Sequence, residues 1–228
     1  MAFEDACRTL AQTLSSHCKL FADSLSGIDV ASARLWYGQV LLCRLLLLYD
    51  LQVAGFLGQG DRWYLHTHLG HFHQQQPNRF YQSFLKPLCH QGVGLPEIER
   101  PLPVQTILGK VPYLGSRLFQ PHSLELQYPE IDLPDEPFEL LLGWLAEQSW
   151  NRTLDVVMEP GTITRMTLAG AWEYLCSGRT GKAIVSTPKT LQNICDRTLD
   201  AYVLKALNQC QEHQVASVDA LMADLDVA

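Results

Sequence analysis

VLLCRLLLLYD, residues 40–50, decides the fold. At roughly 100° per residue, Leu41, Leu42, Leu45, Leu46, Leu47 and Leu48 cover most of the circumference of a helix. A helix that is apolar on nearly every side is one surrounded by protein. The run is too short to span a bilayer, is interrupted by Arg44 and is followed by Asp50. It therefore reads as the central helix of a bundle, from about Val30 to Leu57, ended by Gly55, Gly58 and Gly60.

Upstream, Leu10, Leu14, Cys18, Phe21 and Leu25 recur at three- and four-residue spacing, giving a helix from Phe3 to Leu25 with one apolar face. Ser26-Gly27-Ile28-Asp29 breaks it, and Asp29 is a candidate cap for the helix that follows. Downstream lie the histidine-rich stretch HTHLGHFH (His66–His73) and a QQQP turn. A short helix follows, with Asn78 as its cap and Phe80, Phe84 and Leu88 on one face. Glycines and prolines make Gly92–Pro103 a loop, and short strands are expected at Leu108–Tyr113 and Leu124–Ile131. Helices restart at Pro134-Asp135-Glu136, running to about Trp150, then at Gly161–Cys176 and Thr187–His213. The expected fold is mainly α: a helical bundle with a few short β-strands in the middle region. An N-terminal helical pair (1–60) and a helical domain with a Pro/Gly-rich middle (61–228) would form one compact unit.

The chain of 228 residues is 47% apolar and 18% charged, enough for a real core, and its net charge is −7. That balance excludes a generic nucleic-acid coat. Yet between Arg62 and Leu124 six basic residues (Arg62, Arg79, Lys86, Arg100, Lys110, Arg117) face only Glu97 and Glu99. A basic waist on an acidic body points to a polyanion or acidic partner. Seven cysteines with no CxxC pair read as buried thiols of a reducing compartment. With acids at Glu4 and Asp5 before any apolar run, the reading is a cytoplasmic protein without a signal peptide or membrane span.

Motifs that carry chemistry are sparse. His66, His68, His71 and His73 form H-x-H-x2-H-x-H, which matches no structural zinc spacing, so a surface loop or mixed helix face is expected and no metal. There is no GxSxG elbow, no GxxxxGK[ST] and no GxGxxG; Gly178–Lys182 has the composition of a phosphate loop but the wrong spacing. Asp132, Asp135 and Glu136 read as acids serving a helix N-terminus rather than as a catalytic cluster.

Several segments, in order, resemble one family. RLLLLYDLQVAGFL (Arg44–Leu57), FYQSFLKPLC (Phe80–Cys89), LGKVPYLGSRLFQPHSLE (Leu108–Glu125), IDLPDEPFELLLGWLAEQSW (Ile131–Trp150) and the following VMEPGTITRMTLAGAWEYL are similar to the helical region preceding the catalytic domain of large bacterial adenine-specific DNA methyltransferases. Those enzymes belong to type IIG restriction–modification and BREX phage-defence systems. The likeness covers roughly Arg44 to Leu207, and its most specific match is to a Pro-Tyr-Leu-Asn-Gly-Gly-Leu-Phe motif. Here Gly115-Ser116-Arg117 stands where that motif has Asn-Gly-Gly. The family's Gly-Ala-Tyr-Tyr-Thr-Pro element corresponds to Ala183–Pro188, without either tyrosine. Neither the glycine-rich cofactor loop nor the Asn-Pro-Pro-Tyr adenine motif occurs.

The resemblance implies a non-catalytic interaction or DNA-positioning protein with no cofactor, no catalytic residue and no metal. It would have a protein partner and possible DNA-backbone contact through Arg100, Lys110, Tyr113 and Arg117. Two alternatives stand beside it: a subunit of a split adenine-specific DNA methyltransferase, and a scaffold or regulatory protein with no DNA role.

Overall fold

The computed structural model describes residues 2–151 and 162–177. The chain divides into a compact unit Met1–Leu175 and a second, Cys176–Ala228. Along the described residues the order is α1 (Ala2–Ser24), α2 (Ala31–Val53), α3 (Tyr64–Gln75), a π-turn segment, α4 (Leu102–Leu108), α5 (Ser123–Gln127), α6 (Glu136–Glu147), β1 (Ser149–Asn151), β2 (Thr162–Thr164) and α7 (Arg165–Ser177). The fold is mainly α, with one two-stranded parallel sheet pairing Ser149 with Thr162 and Asn151 with Thr164. No helix among the described residues is long and apolar enough to cross a membrane.

α2 is the central helix: Tyr37, Leu41, Leu42, Leu45, Leu46, Leu48 and Tyr49 are buried on several of its sides. α1 packs on it with Leu14, Cys18 and Phe21 inward, and also meets α6; Leu25, just past its end, is buried too. Burying a leucine fully contributes about 1.5–3 kcal/mol, so this run of contacts is the main source of stability. α2 ends at Val53, four residues before the expected Leu57. Gly55, at φ +77°, donates to Gln52 O and Phe56 to Leu51 O, each at 2.9 Å. These are the paired bonds of a Schellman C-cap.

Several expectations need correction. The strands expected at Leu108–Tyr113 and Leu124–Ile131 are absent: Leu108 ends α4, and Ser123–Gln127 is helical. Lys110 O and Leu114 N each bond one isolated partner, Gly58 N and Val93 O, so the alternation there reflects an extended segment lying on helices, not a ladder. The Gly92–Pro103 loop holds a 3-10 turn at Glu97–Glu99 and the first turn of α4, where Pro103 needs no N–H. Asp29 does not cap α2; the cap residue is Val30, with no side-chain bond.

The helix expected after Asn78 exists as two π-type stretches, Tyr81–Leu85 and Leu88–Val93. They flank Pro87, which has no N–H for the ladder. Its start is capped from a distance. The Asp135 carboxylate accepts Asn78 N–H at 2.8 Å and Phe80 N–H at 3.2 Å, while Asn78 Oδ1 accepts Asp135 N–H. Asp135 thus serves the π segment and makes no side-chain cap on α6. α7 opens with a reciprocal box between Thr164 and Thr167. The helix expected at Thr187–His213, the Ala183–Pro188 element and the Gly178–Lys182 loop lie outside the described residues.

Candidate functional site

The extended segment between α4 and α5 is pinned by a buried polar cluster. Arg44, 1% exposed in the centre of α2, donates from Nε to Leu118 O (2.7 Å), from Nη2 to Gln120 O (2.8 Å) and from Nη1 to Glu125 Oε1 (3.0 Å). Tyr37 Oη donates to Glu125 Oε1 at 2.7 Å and lies 2.5 Å from Tyr81 Oη; His90 Nε2 stands 3.2 Å from the same carboxylate oxygen. The other oxygen, Oε2, accepts the His122 N–H, and His122 Nδ1 accepts Leu124 N–H, a capping box that opens α5.

Burial alone would raise the Glu125 carboxyl. The His90 ring beside it and the hydrogen-bonded Arg44 guanidinium outweigh it and hold the group well below the usual carboxylate range. Burial also works against the Arg44 charge, and Glu125 more than restores it. Burial, with Tyr81 and Glu125 nearby, raises Tyr37 far above an ordinary phenol. Beside the cluster, burial pushes the Cys89 thiol up to about 12, so it is no nucleophile at neutral pH. This assembly has the makings of a strut: Arg44 and Glu125 hold the backbone at Leu118, Gln120 and His122 in place.

The four contact candidates separate. Arg100 is buried (6% exposed), donating from Nε to Leu95 O at 3.0 Å and from Nη1 to Val111 O at 2.9 Å. It is a brace for the loop, not a surface cation. Lys110, Tyr113 and Arg117 are exposed. Gly109 (φ +60°, ψ −147°) releases the chain from α4 in a conformation open essentially to glycine alone. Tyr113 then folds over Gly115, where a methyl group would meet its hydroxyl at 3.1 Å. Backbone bonds at Lys110, Val111, Leu114 and Leu118 hold this display segment along its length.

The histidine-rich stretch is helical, on α3. His66 Nε2 lies 3.1 Å from Leu142 O, and His73 Nδ1 is 2.7 Å from Glu139 Oε1, so these two face α6. His68 is turned the other way, stacked on Phe84 at 4.1 Å between centroids. Among the described residues no group of histidines, cysteines and acids is placed to hold a metal. Of the cysteines, Cys7, Cys18 and Cys89 are buried free thiols as expected, while Cys43 is only half-buried.

A cleft of about 260 Å³ adjoins the segment. Its walls include Gln59, Asp61, Tyr64, His68, Thr106 and Lys110. Lys110 is the member that the charge pattern singled out; Asp61 and His68 carried no signal that would join them to it. The Arg44–Glu125 pair was likewise hidden, although an arginine inside six leucines is itself a hint of a buried partner. Compared with family models, with curated proteins and with solved structures, the chain finds no match.

Proposed function

We propose that the chain is a non-catalytic interaction protein that positions DNA by its backbone, in the manner of the methyltransferase connector it resembles. The observation that carries this reading is the display of Lys110, Tyr113 and Arg117 on an exposed segment whose backbone is bonded at Lys110, Val111, Leu114 and Leu118. Contacts held in place before binding lose little conformational entropy on association. Lysine and arginine bind phosphate oxygens without reading sequence, and Tyr113 adds a flat surface beside them. Arg62 and Arg79 are also exposed. Arg100 takes no part except as a brace.

Three of the five segments that carry the resemblance converge, which supports it. Arg44 comes from the first, Tyr81 and Cys89 from the second, and Leu118 and Glu125 from the third; all meet at one buried cluster. The reading is tested by duplex binding at low salt, comparing the native chain with Lys110→Ala and Arg117→Ala. Each substitution is expected to weaken binding three- to tenfold irrespective of DNA sequence. Binding that is absent in the native chain, or unaffected in both variants, contradicts the reading. Methyl transfer that appears only when this chain is mixed with a second one would assign it instead as a subunit of a split enzyme.

A further inference from the structure

The cleft beside Lys110 has a chemistry of its own. One lining residue, Tyr64, is buried and its hydroxyl is used, donating to Leu108 O at 2.8 Å. Asp61, His68 and Lys110 line the same cleft. Asp61 Oδ1 accepts Trp63 N–H at 2.8 Å, which holds the carboxylate in place, and its second oxygen has no partner among the described residues. His68 stacks on Phe84 with 18° between ring planes and meets Tyr64 edge-on at 4.7 Å. Burial lowers its pKa to about 4, so at neutral pH the ring offers one N–H and one lone pair. Among the described residues neither ring nitrogen has a hydrogen-bond partner. Lys110, which lines the same cleft, is exposed and unpaired among the described residues, its backbone fixed by Gly58 N–H at 3.0 Å.

We propose that this cleft receives one unpaired nucleotide, its base edge between Asp61 and His68 and its phosphate at Lys110. The volume, about 260 Å³, lies just below the range of sites for drug-sized ligands, so it suits a single base with its sugar and excludes a duplex. Each of the common bases carries a donor beside an acceptor on its pairing edge, which complements a carboxylate next to a neutral imidazole. That edge is free only when the base is out of the stack. The charges set the orientation, since Asp61 repels the phosphate that Lys110 attracts. This inference rests on the backbone-positioning reading for the source of the nucleotide, but the two can fail separately.

The test uses the full chain and three probes: a hairpin duplex, the same duplex with one bulged adenosine, and 2′-deoxyadenosine 5′-monophosphate, with inorganic phosphate as the comparison ion. The bulged duplex is expected to bind at least fivefold tighter than the intact one. His68→Phe, which keeps the stack but removes both nitrogens, and Asp61→Asn, which keeps the carbonyl for Trp63, should each abolish that preference. Affinity for the intact duplex should stay within twofold. The mononucleotide should bind at least tenfold tighter than inorganic phosphate. Equal affinity for bulged and intact duplex, or for mononucleotide and phosphate, overturns the cleft assignment and leaves the backbone reading standing. Mononucleotide binding with no duplex binding does the reverse, and failure of every probe overturns both.

Discussion

Arg44 sits 1% exposed in a helix of leucines, and its partner Glu125 lies 81 residues away. Removing one member leaves the other charged, desolvated and unpaired, which typically costs about 3–5 kcal/mol. Glu125→Ala should therefore lower unfolding free energy in urea by about that amount. The double change Arg44→Leu with Glu125→Leu should cost less than the two single changes added together, because no charge is then stranded. Additive losses would mean that the pair is not coupled. The leucines around Arg44 were legible as core because burial follows a local period. The role of Arg44 was not, because nothing within a few residues of it names Glu125, Leu118 or Gln120. Arg100 failed for the same reason: a surplus of basic residues tells where cations are in the chain, not which way they point.

At the level of elements, helices with a strong apolar face were read correctly in kind, α1, α2, α3's neighbour at Phe80 and α6 among them, with errors at their ends. The expected strands failed because an extended, alternating segment that packs on helices has the same pattern as a strand. Only the partner decides, and here the partners are single atoms such as Gly58 N and Val93 O. Asp135 failed because its acceptors serve Asn78 and Phe80 across 57 and 55 residues, a cap with no local signature.

Two glycines give a controlled contrast. A Cβ at Gly109 or at Gly143 would meet nothing within 4 Å, so sterics with neighbours are equal. Gly109→Ala must carry an alanine at φ +60° and ψ −147°, at a cost of about 1–3 kcal/mol, and should also weaken duplex binding by loosening Lys110. Gly143→Ala, inside α6 and exposed, should stabilise by about 0.5–1 kcal/mol. Thermal melts of the two variants check both signs; a shift in the same direction for both would contradict the loop geometry.

For the whole molecule, acid stability follows from its half-buried histidines. Burial lowers the pKa of His17, His66, His68 and His122 from the model-peptide value of 6.5, with His68 reaching about 4. The unfolded chain then takes up protons before the folded one as pH drops below about 6.5. The stability these neutral rings contribute is complete above that pH and is lost as pH falls from there toward 4. Glu125 adds a second loss below about 4.5, since its carboxylate is favoured only in the folded state. The melting temperature should hold between pH 7.5 and about 6.5 and fall from there to pH 5.0, and a profile that stays flat or rises below about 6.5 would show that these rings are not shielded. The mainly α architecture follows from the hydrophobic periods along the chain, whereas the display segment depends on contacts between distant residues.

Phosphate binding by the braced, exposed segment is tested most directly by duplex affinity measured against salt concentration. Each phosphate neutralised contributes about 0.9 to the slope of log affinity against log salt. The Lys110→Ala, Arg117→Ala double variant should therefore lose about two units of slope relative to the native chain, with no change in sequence preference. An unchanged slope, or a native chain that fails to bind duplex at low salt and micromolar concentration, would contradict the claim.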